Sequence, residues 1–500
     1  MSTYSTETRI WSIFQSAIFS AIQESKDNIT VEAVAGSGKT TTIVESLKYC
    51  LGRTLFLAFG KEIAVELSKR VPAGVEARTL HSFGLDVLAR NLPRRPTVDF
   101  RKHGGKVHSI AVKLLKGDKW HPMAPLVREA VEKAKNNLVH TAAEIVELMD
   151  KYGMDVQYPF TSIQVAEMAV RVLDICKRET AVIDGDDMVW LPVVLNLPVR
   201  SFDTVLVDES QDLNPVQIEL VFRSVGKSGR VIVVGDPRQS IFAFRGADSS
   251  AMQKLSDKFN CVKLPLSVSY RCPAKIVGLA QKIVAGIESA PKAKEGTLAL
   301  RSYDQLLEKV VTGDMVLCRT TAPLIGLYFS LLRAGRKSFV QGRDIGTGLI
   351  RFIEKFRARD LSDLTDKIRE STGNELQKLT EAGKETQAQQ LTDKADAILE
   401  LSLNVETIRE LIQEIKNIFS QEGQGICLST AHRAKGLEAD NVWIIRGDLL
   451  PHPCARKAWQ MEQEWNLAYV AVTRAKDSLF FVGSVPYWAA DLVDRTECAK

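Results

Sequence analysis

The chain has 500 residues, 45% of them apolar and 25% charged, the balance of a globular protein with sizeable cores rather than a disordered or fibrous one. Net charge is only +5, too mild to argue alone for a polyanion partner. Length by itself suggests about three domains.

The eight cysteines form no C-x-x-C pair and no histidine cluster at zinc spacing, which points to reduced thiols in an intracellular protein. Met1 to Trp11 is polar and lacks a signal-peptide core. No apolar run reaches the roughly 18 residues of a membrane span. The expected location is cytoplasmic, or nuclear if the host has a nucleus, with no membrane partner.

Taken in order, short β-branched runs ending in polar turns recur at Ile29–Val34, Thr54–Phe59, Thr204–Val207, Val231–Val234, Val316–Leu317, Ile426–Leu428, Val442–Ile445 and Leu479–Val482. Mostly apolar strands spaced by helical patterns predict an α/β fold, with parallel sheets covered by helices on both faces. Residues 91–120 hold Arg94, Arg95, Arg101, Lys102, Lys106, Lys113, Lys116 and Lys119 against Asp99 and Asp118, a local charge of +6. That run is either a solvated surface or a phosphate-contacting patch. Residues 105–180 carry amphipathic stretches at Leu126–Val139 and Thr141–Met149. Residues 350–420 are helical in pattern, with Ile350, Ile353, Phe356, Ile408, Leu411, Ile412 and Ile415 at helix spacing. Between them the polar, glutamine-rich stretch from Gly373 to Gln390 reads as a hairpin tip.

Ile29–Val34 leads into Ala35-Gly-Ser-Gly-Lys-Thr40 and then the helical Thr41–Tyr49. A glycine-rich loop between strand and helix is the context of a phosphate-binding loop. Gly36 and Gly38 permit close backbone approach, and the first amides of the helix point at phosphate. Ala35, Gly36, Ser37, Gly38, Lys39, Thr40 and Thr41 are the expected nucleotide ligands, with Lys39 on the terminal phosphates and Thr40 on Mg²⁺. One departure is Ala33, where the general motif has its first glycine. Val205-Leu-Val-Asp-Glu209 supplies an acid pair at a strand end. Asp208 would hold the Mg²⁺ shell and Glu209 would orient and deprotonate the attacking water. Gln239, after the next strand, could sense the γ-phosphate. A phosphate loop and an acid pair alone would also suit a small-molecule kinase.

Together these segments resemble the superfamily 1 DNA helicases of the UvrD/Rep kind. Gln15, within Trp11–Ile18, looks like the family's adenine-reading glutamine. Leu57-Ala-Phe-Gly-Lys61 and Thr79-Leu-His-Ser-Phe83 are similar to its early DNA-contact motifs. Ile183-Asp-Gly-Asp-Asp-Met188 resembles a segment that precedes the acid pair, with Gly185 where an aromatic is common. Asp208-Glu-Ser-Gln-Asp212, Val234–Asp248, Leu266–Arg271, Thr430–Glu438 and Glu464–Lys476 follow in the family's order.

The resemblance implies two RecA-like P-loop motor domains, each with a mainly helical insertion. The expected domains are residues 1–90 plus 196–265, with insertion 91–195, and 266–349 plus 422–500, with insertion 350–421. It also implies that Tyr270 stacks on adenine, that Glu438 contacts the nucleotide, and that Arg271 and Arg474 act as arginine fingers. For DNA it singles out Phe59, Thr79, Phe242, Phe244, Arg245, Thr430 and His432. The family more often has tyrosine and tryptophan where Phe242 and Phe244 stand; phenylalanine keeps the stacking face and loses the polar handle. Core packing is the alternative for Phe59, Phe242 and Phe244.

The implied activity is an ATP-dependent helicase that moves 3′→5′ on single-stranded DNA and acts at duplex junctions. Loading, replication or repair proteins are its candidate partners. The alternative is a translocase that grips single strands and strips proteins without separating duplex.

Overall fold

The computed structural model describes residues 10–58, 60, 65, 72, 74–101, 104–115, 122–154, 156, 159–241, 250–381, 385–420 and 425–495. The chain divides into two compact units, Met1–Ala33 with Gly38–Ser267, and Val34–Ser37 with Val268–Lys500.

The first unit is built on β1 (Ile29–Ala33), β2 (Thr54–Ala58), β3 (Val75–Thr79), β4 (Thr97–Val98), β5 (Val182–Ile183), β6 (Phe202–Val207), β7 (Val225–Gly235) and β8 (Val262–Leu266). Six of them form one sheet in the order β3-β2-β6-β7-β1-β8, every neighbour parallel. Alternate side chains of one strand serve two cores. Leu55, Leu57, Val205, Val207, Val231 and Val233 enter the larger core, which continues into the helices of residues 106–194. Phe56, Leu206, Ile232 and Val234 face the smaller one, with Ile18 and Ile22 of the Ile13–Glu24 helix. Burial on both faces is why these strands read as unbroken apolar runs.

The helices of residues 106–194 enclose charge as well as apolar surface. Asp187, fully buried, lies 2.7 Å from the ammonium groups of both Lys106 and Lys135, and Lys135 also pairs with Asp184 at 2.6 Å. The stretch Ile183–Met188 thus anchors a buried ion cluster, and Gly185 stands in the turn before the Asp187–Val194 helix.

The second unit contains β9 (Val268–Ser269), β10 (Glu288–Ser289), β11 (Thr297–Arg301), β12 (Met315–Cys318), β13 (Ser338–Val340), β14 (Ile426–Thr430), β15 (Ala439–Ile445) and β16 (Ala475–Val482). Its sheet runs β11-β16-β15-β12-β14-β13, again wholly parallel. Helices Arg343–Lys355, Leu361–Glu381, Glu385–Ser402 and Ile408–Ser420 occupy the interval between β13 and β14. They share a core with the sheet through Leu364, Ile368, Ile398, Leu411 and Ile415. The described part of Gly373–Gln390 is helical, with Gly373 inside the Leu361–Glu381 helix rather than in a hairpin tip. Leu364, Ile368, Thr372 and Leu379 form its buried stripe, so the polar composition marks the solvent face of a helix. Residues 382–384 lie outside the described residues.

Both units are therefore α/β, with parallel sheets flanked by helices. Among the described residues no helix is long and apolar enough to cross a membrane.

Candidate nucleotide site

β1 ends at Ala33, which is still paired with Leu266 of β8. The residue standing where the general motif has its first glycine is thus the last residue of a strand. The chain then turns through Gly36 at φ +72° and Gly38 at φ +79°, a left-handed region open to glycine at no steric cost. The helix Lys39–Ser46 starts immediately, its first closing bond running from Thr42 N–H to the Gly38 carbonyl at 2.9 Å. Ser37 is 1% exposed, and its hydroxyl has no partner among the described residues. Thr40 is exposed in the first turn. A helix N-terminus behind two left-handed glycines, with an unsatisfied buried hydroxyl in the loop, fits a bound phosphate.

Gln15 stands beside this loop: a methyl group at Gly38 would lie 3.7 Å from its Nε2. Nε2 donates to Thr42 Oγ1 at 2.9 Å, and Oε1 accepts from Ser12 N–H at 3.1 Å, closing a capping box.

Three carboxylates meet Lys39. Its Nζ is 3.4 Å from Glu209 Oε1. Burial opposes the charge on Lys39, but Glu209, Asp236 and Asp208 together outweigh it and hold the ammonium above its ordinary range. Asp208, at the end of β6, is pushed up to about 7 by burial and by its neighbour Glu209, with Lys39 pulling the other way. Asp236 is raised by burial too, against the attraction of Lys39. A buried, easily protonated acid beside a phosphate loop is where a divalent cation would restore the ionised form. Thr40, Asp208 and phosphate oxygens are the donors that would hold Mg²⁺ here.

The acid pair is wired to the end of the next strand. Glu209 turns left-handed at φ +49°, a conformation that costs a non-glycine residue about 1–3 kcal/mol. Gln211 Nε2 donates to Glu209 Oε2, and Gln211 Oε1 accepts from Asp236 N–H at 3.1 Å. Asp236 in turn accepts from Gln239 Nε2 at 2.7 Å. Ser210 Oγ donates to the Val234 carbonyl at 2.9 Å, and Ser240 Oγ to the Gln211 carbonyl at 3.3 Å. Gly235 makes this approach feasible, because a methyl group there would collide with Gln211 and Ser210.

Lys39, Asp208, Glu209 and Gln239 are thus gathered in one cluster. Sequence reasoning leaves Gln211 as one polar residue among several and passes over Gly235. The available signal was a glycine directly before Asp236 at a strand end.

In the second unit Arg271 Nε pairs with Glu438 Oε2 at 2.7 Å, and its Nη1 donates to the Thr473 carbonyl at 3.3 Å. Arg474 is 1% exposed; it donates to the carbonyls of Val470 at 2.9 Å and Leu437 at 3.2 Å. Tyr270 is half exposed, and its N–H donates to the Gly36 carbonyl at 2.8 Å. Ala35 N–H donates to the Tyr469 hydroxyl at 2.8 Å, a contact that sequence reasoning does not single out.

Of the expected DNA contacts, Thr79 caps the Leu80–Asn91 helix, accepting from Ser82 N–H at 3.1 Å. Thr430 is the buried last residue of β14, and His432 is half-buried in the turn after it. Phe59, Phe242, Phe244 and Arg245 lie outside the described residues, as do Lys102, Lys116 and Lys119 of the basic run. Arg101 of that run is engaged by Asp99 at 2.9 Å.

Residues 15–260 match the UvrD/REP helicase N-terminal domain, and residues 343–484 match the UvrD-like helicase C-terminal domain. The chain is 25% identical to an F-box DNA helicase 1 of Gallus gallus, over 92% of this chain and 48% of that protein. It is 23% identical to an F-box DNA helicase protein 1 of Schizosaccharomyces pombe, over 90% and 55%. To the ATP-dependent DNA helicase Rep of Escherichia coli it is 28% identical, over 51% and 41%. The chain thus spans about half the length of these curated relatives. Two domain models matched in sequence order, on two units with parallel sheets, place it: the chain belongs to the UvrD/Rep family of superfamily 1 DNA helicases.

Proposed function

We propose that this protein is an ATP-dependent DNA helicase that translocates 3′→5′ on single-stranded DNA and separates duplex strands. The observation that carries the reading is the cluster around Lys39. A glycine-turned loop opens a helix, Lys39 heads that helix, and Asp208, Glu209 and Asp236 face the lysine. That is the equipment of phosphoryl transfer to water.

Gly36–Thr40 would bind the phosphates through backbone amides, with Lys39 turning from Glu209 to the terminal phosphate. Glu209 would then orient the attacking water and take its proton. Gln239 would answer to the γ-phosphate through its bond to Asp236. Thr40 and Asp208 would hold Mg²⁺, which would supply charge neutralisation on the phosphate oxygens. Gln15 and Tyr270 would hold the adenine, and Glu438 would contact the nucleotide. Arg271 and Arg474 would stabilise the transferring phosphoryl group, a role worth roughly 10³–10⁵ in rate in related enzymes. Both are held by protein partners in this conformation, so hydrolysis would require their release.

Single-stranded DNA would run over Phe59, Thr79, Phe242, Phe244, Arg245, Thr430 and His432, stacking on the aromatics. Replication or repair proteins would be its partners. The second reading, a translocase that strips proteins, uses the same ATP site. Strand displacement on duplexes with 3′ or 5′ tails, followed together with ATP turnover, tests both. The helicase reading expects separation from the 3′ tail. Translocation without separation would favour the stripping translocase, and separation from the 5′ tail alone would overturn the polarity.

A further inference from the structure

We infer that Gln211 is a positioning residue for hydrolysis, one that fixes the carboxylate of Glu209 and ties it to the turn carrying Gln239. The inference rests on the ATP-site reading above and assigns a role to a side chain which that reading leaves unused.

The geometry is specific about the chemistry required. Glu209 has two carboxylate oxygens: Oε1 faces Lys39 at 3.4 Å, and Oε2 accepts from Gln211 Nε2. At the other end of the amide, Oε1 accepts the backbone N–H of Asp236 at 3.1 Å. One end of the amide must donate and the other accept, so the partners themselves fix its orientation. Gln211 is 1% exposed, sits in the short turn Ser210–Asp212, and has its own carbonyl held by Ser240 Oγ at 3.3 Å. The amide is therefore fastened from both sides and cannot swing away to water.

The consequence is mechanical. The bond from Gln211 does not depend on Lys39, so it holds the carboxylate aimed when the lysine moves to phosphate. The same amide grips the first residue of the Asp236–Gln239 turn, where Asp236 accepts from Gln239. A shift of that turn would pull on Glu209 through a single side chain, so the γ-phosphate sensor and the general base move together. The ends of β6 and β7, neighbours in the sheet, are close enough for one glutamine to span, and Gly235 leaves the room.

The test is steady-state ATP turnover with single-stranded DNA, using Gln211→Ala, Gln211→Met and Glu209→Gln. Gln211→Ala should lower kcat by about 10²-fold, the scale of a misplaced catalytic group, with KM for ATP unchanged. Gln211→Met keeps much of the side-chain length but loses both the donor to Glu209 and the acceptor for Asp236. It should stay folded and lose kcat as fully as the alanine variant, whereas a merely structural role would lower the melting temperature and leave kcat in place.

Wild-type kcat in either Gln211 variant would overturn the inference. So would a change confined to KM. If Gln211→Ala fails to fold, Gln211→Met decides alone. If Glu209→Gln itself turns over normally, the ATP-site reading is what has failed, and the two failures are told apart.

Discussion

Asp187→Asn should destabilise the first unit far more than its chemical subtlety suggests. Asp187 is fully buried and faces two buried ammonium groups, Lys106 and Lys135, each at 2.7 Å. Burial alone would raise its carboxyl, but Lys135 and Lys106 hold it below the ordinary carboxylate range. Asparagine keeps the shape and removes the charge. Lys135 would retain Asp184 at 2.6 Å, whereas Lys106 would be left with the Cys176 carbonyl at 3.3 Å.

Breaking a buried pair by removing one partner costs about 3–5 kcal/mol, because a charge stays behind in low dielectric. At about 2–4 °C per kcal/mol for a unit of this size, the melting temperature should fall by roughly 6–20 °C. Hydrogen exchange at Val189–Leu191 would localise the loss to the helices of residues 106–194. Adding Lys106→Met should recover much of it, since the stranded charge leaves as well. The pH dependence has a definite sign. A depressed folded-state pKa contributes stability above the ordinary aspartate value, lost as pH falls through the depressed one. The gap between wild type and Asp187→Asn should therefore be full at neutral pH and narrow in acid. A loss under about 1 kcal/mol, the range of exposed ion pairs, would refute the reasoning, as would a gap that widens in acid.

Other expectations follow from single contacts. In Gly235→Ala the added methyl group would meet Gln211, Met252 Sδ at 2.7 Å and Ser210 Oγ at 2.8 Å. It should cost about 1–3 kcal/mol and depress kcat, and a variant that melts and turns over like wild type would contradict the packing described. Phe244→Ala should lose about 1–3 kcal/mol of affinity for single-stranded DNA or uncouple ATP turnover from movement; if binding, stimulation and translocation all stay normal, Phe244 is core packing. Neutralising Arg94, Arg101 and Lys102 should flatten the salt dependence of DNA binding, while an unchanged slope would return that run to solvated surface.

The strands legible in the sequence were the interior ones. β1, β2, β6, β7, β12, β14, β15 and β16 are apolar on both faces because both faces are covered. The large-sheet strands that escaped notice, β3, β8, β11 and β13, are the four edges of the two six-stranded sheets. They carry Glu76 and Arg78, Lys263 and Pro265, Arg301, and Ser338, the polar and proline residues that keep an edge from pairing further. The phosphate loop was legible because its residues are consecutive. So was the acid pair, at the end of a strong strand. The amide of Gln211 was not, since its partners Glu209 and Asp236 meet only once β6 and β7 lie side by side. Lys106 likewise read as part of a basic run and Lys135 as part of an amphipathic stretch, and nothing local announced that both turn inward onto Asp187.

On the proposed function, Lys39 and Glu209 form an ATP-hydrolysing site that answers to DNA. The deciding assay is ATP turnover with and without single-stranded DNA, in wild type, Lys39→Ala and Glu209→Gln. Turnover should rise with single-stranded DNA in the wild type and vanish in both variants, while their strand binding stays largely intact. Hydrolysis indifferent to DNA, or persisting when either residue is replaced, would contradict the account.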